Sequence, residues 1–435
     1  MRATSEIYGV PLSSLADINP SRLTGSLQPS DEVSFIPMGD VSESGRWLGN
    51  QTRRLSEVQN GFTCFAEGDV LFAKITPCME NGKGCLATGL SNSVGFGSTE
   101  FHVLRAKNHS DAGYIYQWST YQDLRKAARN SMTGSAGQQR VPADFFEKFL
   151  VPAPPKSEQT KIAEILSTVD RAISQTEALI AKQQRLKTGL MQDLLTRGID
   201  EHGNLRSEQT HQFKDSPLGR IPVEWEVKRL GSLLANINQG WSPDCEADAA
   251  AQGEWGILKT TAVVWEGYQD HENKELPRIL TPRPHLEIQA GDLLMTRAGP
   301  NSRVGVIAYV YCTRSKLMLS DKIYRLVPTK EAEGRFLCYS LSSSGSQRHL
   351  SNLKTGMAES QTNISQEIVK ALMTVCPPSA EQSLIADRLD HISGESNKST
   401  TVLSKLRALK TALMQDLLTG RKRVTDLLDK TEEAA

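Results

Sequence analysis

Basic side chains recur at matching places in the two halves of this chain, and phosphate contact is the chemistry they could serve. From Leu124 to Ala143 the chain carries Arg125, Lys126, Arg129 and Arg140 with no acidic residue. From Arg335 to Ala358 it carries Arg335, Arg348 and Lys354, again with no acidic residue. Two basic surfaces in a neutral protein are what phosphate contacts need. Each stretch runs into a Thr-Gly loop, Thr133–Arg140 and Thr355–Gln361, which offers Gln138, Gln139, Arg140 and Gln361. Glutamine pairs bidentately with adenine and arginine with guanine. Lys74 and Arg297 follow a candidate strand at the same place in each half, and Lys83, Asn301 and Arg303 complete the set of candidate DNA contacts. Residue by residue, a solvated helix face or an ordinary turn would look the same.

Catalytic motifs are scarce. There is no GxxxxGK[ST] phosphate loop and no GxGxxG after a strand, and Cys78 and Cys85 lack the spacing and partners of a zinc site. Asp244, Glu272 and Lys274 could hold Mg²⁺ in a nuclease-like arrangement, which makes a metal-dependent DNA nuclease the alternative reading. The first half has no counterpart of that trio.

The elements that must position these residues are written twice. Leu186–Thr196 (LKTGLMQDLLT) returns as Leu409–Thr419 (LKTALMQDLLT), 223 residues later and with one difference. At the same offset Pro154-Pro155, Glu158-Gln159 and Ile162-Ala163 return as Pro377-Pro378, Glu381-Gln382 and Ile385-Ala386, and Gly68-Asp69-Val70-Leu71 as Gly291-Asp292-Leu293-Leu294. A unit this long is a duplicated domain with its appendage, not a solenoid repeat. The segments after Pro154 and Pro377 nearly coincide, whereas those before them share only landmarks.

The shared part reads as a long helix. No proline interrupts Ser157–Thr196, and apolar positions recur in heptads through Ile162, Val169, Ile173, Leu186 and Leu190. The second copy keeps the phase through Ile385, Ile392, Leu406 and Leu413, with a polar, weak middle from Gly394 to Thr401. Length and matched phase favour two rods packed on each other. The divergent part reads as mixed α and β, with strands at Asp69–Ala73, Phe101–Leu104, Asp292–Met295, Gly305–Val310 and Lys322–Val327 and one helix before each Thr-Gly loop, near Ala112–Asn130 and Glu333–Leu350.

The expected fold class is α+β: two mixed α/β recognition domains, each followed by a long helix, the helices packing as an antiparallel coiled coil with pseudo-two-fold symmetry. Residues 1–153 form the first domain, 154–198 its helix, 199–218 a polar linker, 219–376 the second domain, 377–424 the distal helix and 425–435 a tail. Lys+Arg and Asp+Glu are both 50, which argues against coating nucleic acid through bulk charge. Seven cysteines without CxxC pairs suit a reducing cytoplasm, and no apolar run is long enough to span a bilayer.

The doubled Pro-Pro-x-x-Glu-Gln-x-x-Ile-Ala helix start, the Gly-Asp-x-Leu strands and the Gly-x-Ile-Pro-x-x-Trp entry at Gly219–Trp225 resemble the specificity subunit of type I restriction–modification enzymes. The resemblance covers essentially the whole chain, and the first half departs from it by lacking the Ile-Pro-x-x-Trp entry. It implies a non-catalytic reader of double-stranded DNA with two target recognition domains, acting in phage defence. It further implies helices that set the spacing of a bipartite site and dock two methyltransferase subunits, which methylate adenine at N6. S-adenosylmethionine, ATP and Mg²⁺ are then expected on partner subunits, restriction/translocase subunits among them where present, with no cofactor in this chain and no membrane association.

Overall fold

A computed structural model describes residues 9–21, 27–135, 137–354 and 362–432. The chain forms two units, the first joining residues 1–178 to 400–435 and the second comprising 179–399. Each unit therefore contains one divergent domain, the start of the long helix that follows it and the end of the other long helix.

In the first unit eight strands matter: β1 (Ala16–Ile18), β2 (Glu32–Ile36), β3 (Thr52–Arg54), β4 (Thr63–Ala66), β5 (Val70–Ala73), β6 (Gly84–Leu86), β7 (Val94–Gly97) and β8 (Phe101–Ala106). They form two four-stranded sheets, ordered β1-β8-β5-β6 and β3-β2-β7-β4. Two helices, α1 (Ala112–Thr120) and α2 (Gln122–Asn130), precede the Thr-Gly loop, and α3 (Lys156–Thr196) is the first rod. The second unit repeats the first sheet with β9 (Leu234–Gln239), β12 (Leu293–Thr296), β13 (Ile307–Tyr309) and β15 (Ile323–Pro328), ordered β9-β15-β12-β13. Its other sheet has three strands, ordered β11-β10-β14, from β10 (Gly256–Leu258), β11 (Asn273–Glu275) and β14 (Leu317–Met318). Helices α4 (Gly334–Ser342) and α5 (Ser344–Leu353) and the second rod, α6 (Ser379–Leu417), follow.

The Gly-Asp-x-Leu motif builds the middle of each sheet. Every residue of β5 and β12 is buried, as a strand covered on both faces requires. Gly68 (φ +82°) and Gly291 (φ +99°) turn into these strands through the left-handed region that glycine enters without strain. Asp69 accepts from the Ala66 amide at 2.7 Å and from Arg105 Nε and Nη2 at 2.8 and 2.7 Å. Asp292 accepts from the Gln289 amide at 3.0 Å and pairs with Arg325 at 3.1 Å. The two arginines occupy non-equivalent positions on their strands, so the ion pair was retained by different residues.

The helix expected over Ala112–Asn130 breaks at Tyr121 (φ −69°, ψ 131°), and that over Glu333–Leu350 breaks at Ser343 (φ −63°, ψ 149°). An extended residue there turns the chain so that both short helices lay an apolar face on the core. Tyr121 is buried edge-on against Trp118 at 5.4 Å, and the Ser343 side chain caps α5 by accepting from the Ser346 amide.

Both rods are continuous, including the weak 394–401 stretch of α6. At 41 residues α3 is roughly 60 Å long. Within the first unit Asp170 pairs with Lys410 at 2.6 Å and Glu177 with Arg407 at 2.9 Å, so the rods run antiparallel there. In the second unit Leu190 and Leu194 share a core with Ile385 and Leu389. Ile162 and Ile385 are buried, Leu190 and Leu413 pack on the cores, and Val169, Ile173, Ile392 and Leu406 are half-buried. Leu186 is not in the seam: it is 53% exposed. A straight 3.6-residue helix drifts about 20° per heptad against a strict seven-residue count, and Leu186 lies more than three heptads past Ile162.

The stretch 199–218, expected as a linker, is folded. Asp200 caps a turn by accepting from the His202 and Asn204 amides, and Phe213–Ser216 pairs with Gly219–Pro222. Its purpose is visible at Glu381, in the first turn of α6. This carboxylate is buried and accepts from the Ile199 amide at 2.8 Å, from Trp225 Nε1 at 3.0 Å and from both Nη atoms of buried Arg206. The equivalent Glu158, in the first turn of α3, accepts from Arg423 Nε and Nη2 at 2.7 and 2.5 Å and from the Val424 amide at 3.2 Å. In each unit the carboxylate that opens one rod holds the chain emerging from the end of the other. Arg423 thus takes at Glu158 the part that Arg206 takes at Glu381.

Candidate nucleic-acid interface

The Thr-Gly loop of the first unit is laid beside the end of β5. Thr133 and Ile75 both bridge to Arg140, and the Thr76 amide donates to Gln139 O at 3.0 Å. Backbone bonds then fix a corner: Lys74 N donates to Glu100 O and Val141 N to Lys74 O, both at 2.9 Å. Beneath it, buried His102 donates from Nε2 to Val141 O at 2.8 Å, while its Nδ1 faces Asn19 Nδ2 at 3.1 Å. Burial depresses the His102 pKa, so the ring is neutral and serves the frame.

The second unit builds the same corner. Arg297 N donates to Lys322 O and Ile364 N to Arg297 O, both at 2.9 Å, and Tyr324 Oη, at the place of His102, donates to Ile364 O at 3.2 Å. Thr362–Asn363 pairs with Ala298–Gly299, which leads into the Asn301–Arg303 turn. Lys354 Nζ donates to Asn301 O at 3.1 Å, so Arg297, Asn301, Arg303 and Lys354 are brought to one edge.

Side chains on this common frame differ. Arg140 lies against Glu100 with Nε and Nη2 at 2.9 and 2.8 Å, and that hydrogen bond holds the Glu100 carboxyl below its ordinary range. Arg297 Nη2 donates to Asn363 Oδ1 at 3.1 Å, and Lys322 stands where Glu100 stands in the first unit. Glu100, Lys322 and Asn363 escape a reading based on basic runs; aligning the copies at 222–223 residues would have found them.

Other candidates fall elsewhere. Lys126, Arg129 and Arg348 are exposed on helices, and Gln138 is exposed in its loop. Lys83 is half-buried and donates from Nζ to Met38 O at 3.0 Å. Gln361 and the Thr355–Ser360 part of its loop lie outside the described residues. Glu272 accepts from the Thr261 hydroxyl, and among the described residues no three His, Cys, Asp or Glu side chains are grouped to hold a metal ion.

Arg125 is a correction: it is a buried clamp that cannot reach phosphate. Its Nε donates to Ser119 O at 2.6 Å, its Nη1 to Met79 O and Lys83 O at 3.2 Å each, and its guanidinium lies 4.1 Å over the Phe72 ring. Burial pushes its pKa down to about 9, still above neutrality, so the charge persists. Gln347 does the same work in the second unit, donating from Nε2 to Leu341 O at 2.7 Å and Gly305 O at 3.1 Å. Arg125→Ala removes three hydrogen bonds and the contact over the Phe72 ring from a buried site and is expected to cost about 2–4 kcal/mol, whereas Lys126→Ala and Arg129→Ala stay within about 0.5 kcal/mol. Calorimetric melting of the three variants checks the contrast.

The class that the fold defines is a sheet-and-helix domain with basic side chains at its loop edge, present twice and carried on paired long helices. Residues 10–184 and 222–405 both match the sequence model of the type I restriction modification DNA specificity domain, and the chain belongs to that family. It is 32% identical over 457 residues to the type I restriction enzyme EcoEI specificity subunit of Escherichia coli, covering 88% of this chain and 76% of that protein. It is 27% identical over 319 residues to the MjaVIII specificity subunit of Methanocaldococcus jannaschii, covering 70% and 69%. The crystal structure of a type I restriction-modification system S subunit from M. genitalium shares the fold, with TM-score 0.59, 14% identity and coverage of 96% and 98%. Among the described residues no helix is long and apolar enough to cross a membrane.

Proposed function

We propose that this chain is the non-catalytic DNA reader of a cytoplasmic type I complex, recognising an asymmetric, bipartite site with one half-site per domain. The observation that carries the reading is the construction of each unit: one divergent domain clamped to the start of one rod and the end of the other. In this reading the duplicated domains act like an isologous pair and read their half-sites in opposite senses along the duplex. The rods set the separation, so the half-sites are divided by unread DNA of roughly one helical turn.

Two methyltransferase subunits dock on the rods in this reading. Leu179 and Leu186 on α3, and their equivalents Val402 and Leu409 on α6, are each about half exposed and repeat one apolar stripe in both copies. Exposed apolar surface of this kind marks a contact surface. S-adenosylmethionine, and ATP and Mg²⁺ where restriction subunits join, belong to those partners. Long-read sequencing of host DNA with and without the gene tests the proposal. The expected result is a gapped, N6-methyladenine-bearing motif that disappears with the gene; retention of every methylated motif would overturn it.

A further inference from the structure

The two corners offer an internal comparison. Where equivalent positions serve the fold, their chemistry is retained: Asp69 and Asp292 each cap a turn and hold an arginine, and Glu158 and Glu381 each take a main-chain amide and an arginine. Arg125 and Gln347 each donate to carbonyls of the loop that follows the central strand. The corner keeps its backbone bonds, yet the side chains on it differ: a cation is kept at one position, a carboxylate gives way to an ammonium at the second and a guanidinium to an amide at the third. Position by position, Lys74, Glu100 and Arg140 become Arg297, Lys322 and Asn363.

We infer that these three positions form a specificity triad in each domain, Lys74/Glu100/Arg140 in the first and Arg297/Lys322/Asn363 in the second, set on a common frame to read base edges. The inference rests on the proposed DNA reading and deepens it. Groups that serve the frame, such as His102 and Tyr324, make the same bond in both copies, whereas the groups carried on it differ in charge, as different half-sites require. The geometry also suits the chemistry. Glu100 engages Arg140 along its Nε–Nη2 edge and Gln138 O accepts from Nη1 at 3.2 Å, which pins the guanidinium and leaves one hydrogen on each Nη for the O6/N7 edge of guanine. In the second corner Arg297 Nη2 donates to Asn363 Oδ1, so the cation again engages the side chain at the loop position.

The test exchanges the sets within the intact complex. Lys74→Arg, Glu100→Lys and Arg140→Asn together give the first domain the second domain's triad. The variant is co-expressed with its methyltransferase subunits and scored by long-read methylation sequencing. The expected result is a change of preference of about ten- to a hundredfold at one or two base pairs of one half-site, with the other half-site and the spacer retained. The milder Glu100→Gln, which unpins Arg140 without adding charge, should relax the same base pairs. An unchanged motif with methylation retained would overturn the triad. Loss of all methylation in both variants would also overturn it, by marking the corner as part of the fold. A wild-type complex that gives no gapped motif is a separate result, and defeats the DNA reading itself.

Discussion

Glu381→Ala is expected to destabilise the second unit by about 3–5 kcal/mol, because it strands a buried guanidinium and two further buried donors. Arg206 has only 9% of its side chain exposed, and Trp225, whose Nε1 also loses its acceptor, is wholly buried. The Ile199 amide is orphaned as well. In a unit of this size 1 kcal/mol moves the melting point by roughly 2–4 °C, so a shift on the order of 10 °C should be seen by calorimetry. Glu158→Ala is expected to cost less, about 1–3 kcal/mol, because Arg423 is 42% exposed and water takes up its charge. Equal losses in the two variants would contradict this account of the two clasps.

The second large effect concerns spacing. One heptad inserted into both rods, after Ala178 and before Thr400, lengthens each by about 10 Å, close to three base pairs of duplex. The expected methylated motif keeps both half-sites and gains a longer spacer. Binding should weaken, because three base pairs turn DNA by roughly 100° while a heptad turns a helix by about 20°. Insertion into α3 alone should abolish function. The Glu158–Arg423 clasp in the first unit and the Glu381–Arg206 clasp in the second fix the ends of both rods, so one rod cannot lengthen without the other. Methylation mapping of the wild type and the two variants decides it: an unchanged spacer, or altered half-sites, would remove the ruler.

Much of this architecture was legible because it depends on local pattern. The rods follow from uninterrupted heptads, and the expected start at Ser157 lies one residue from the observed Lys156. The Gly-Asp-x-Leu strands follow from a turn glycine, a capping aspartate and an apolar run. The breaks at Tyr121 and Ser343 carry no such signal: neither is proline or glycine, and core packing sets them.

Charge was the least legible property. Arg125, Lys126 and Arg129 belong to one basic run, yet one is buried and two are exposed, since a helix places neighbours about 100° apart and only docking selects the inward face. The polar 199–218 stretch looked like a linker because the partner that buries Arg206 lies 175 residues away.

By itself the sequence determined the duplication, the rods and the family, because each is written in repeated residue types at fixed spacing. Only the tertiary structure decided which basic groups are buried clamps and which are gathered at the corner beside the Thr-Gly loop. Lys74, Glu100 and Arg140 sit on separate segments, and strand register together with the Thr-Gly bridge brings them to one corner. Strand register and loop closure are set by long-range backbone hydrogen bonds, which no local spacing encodes.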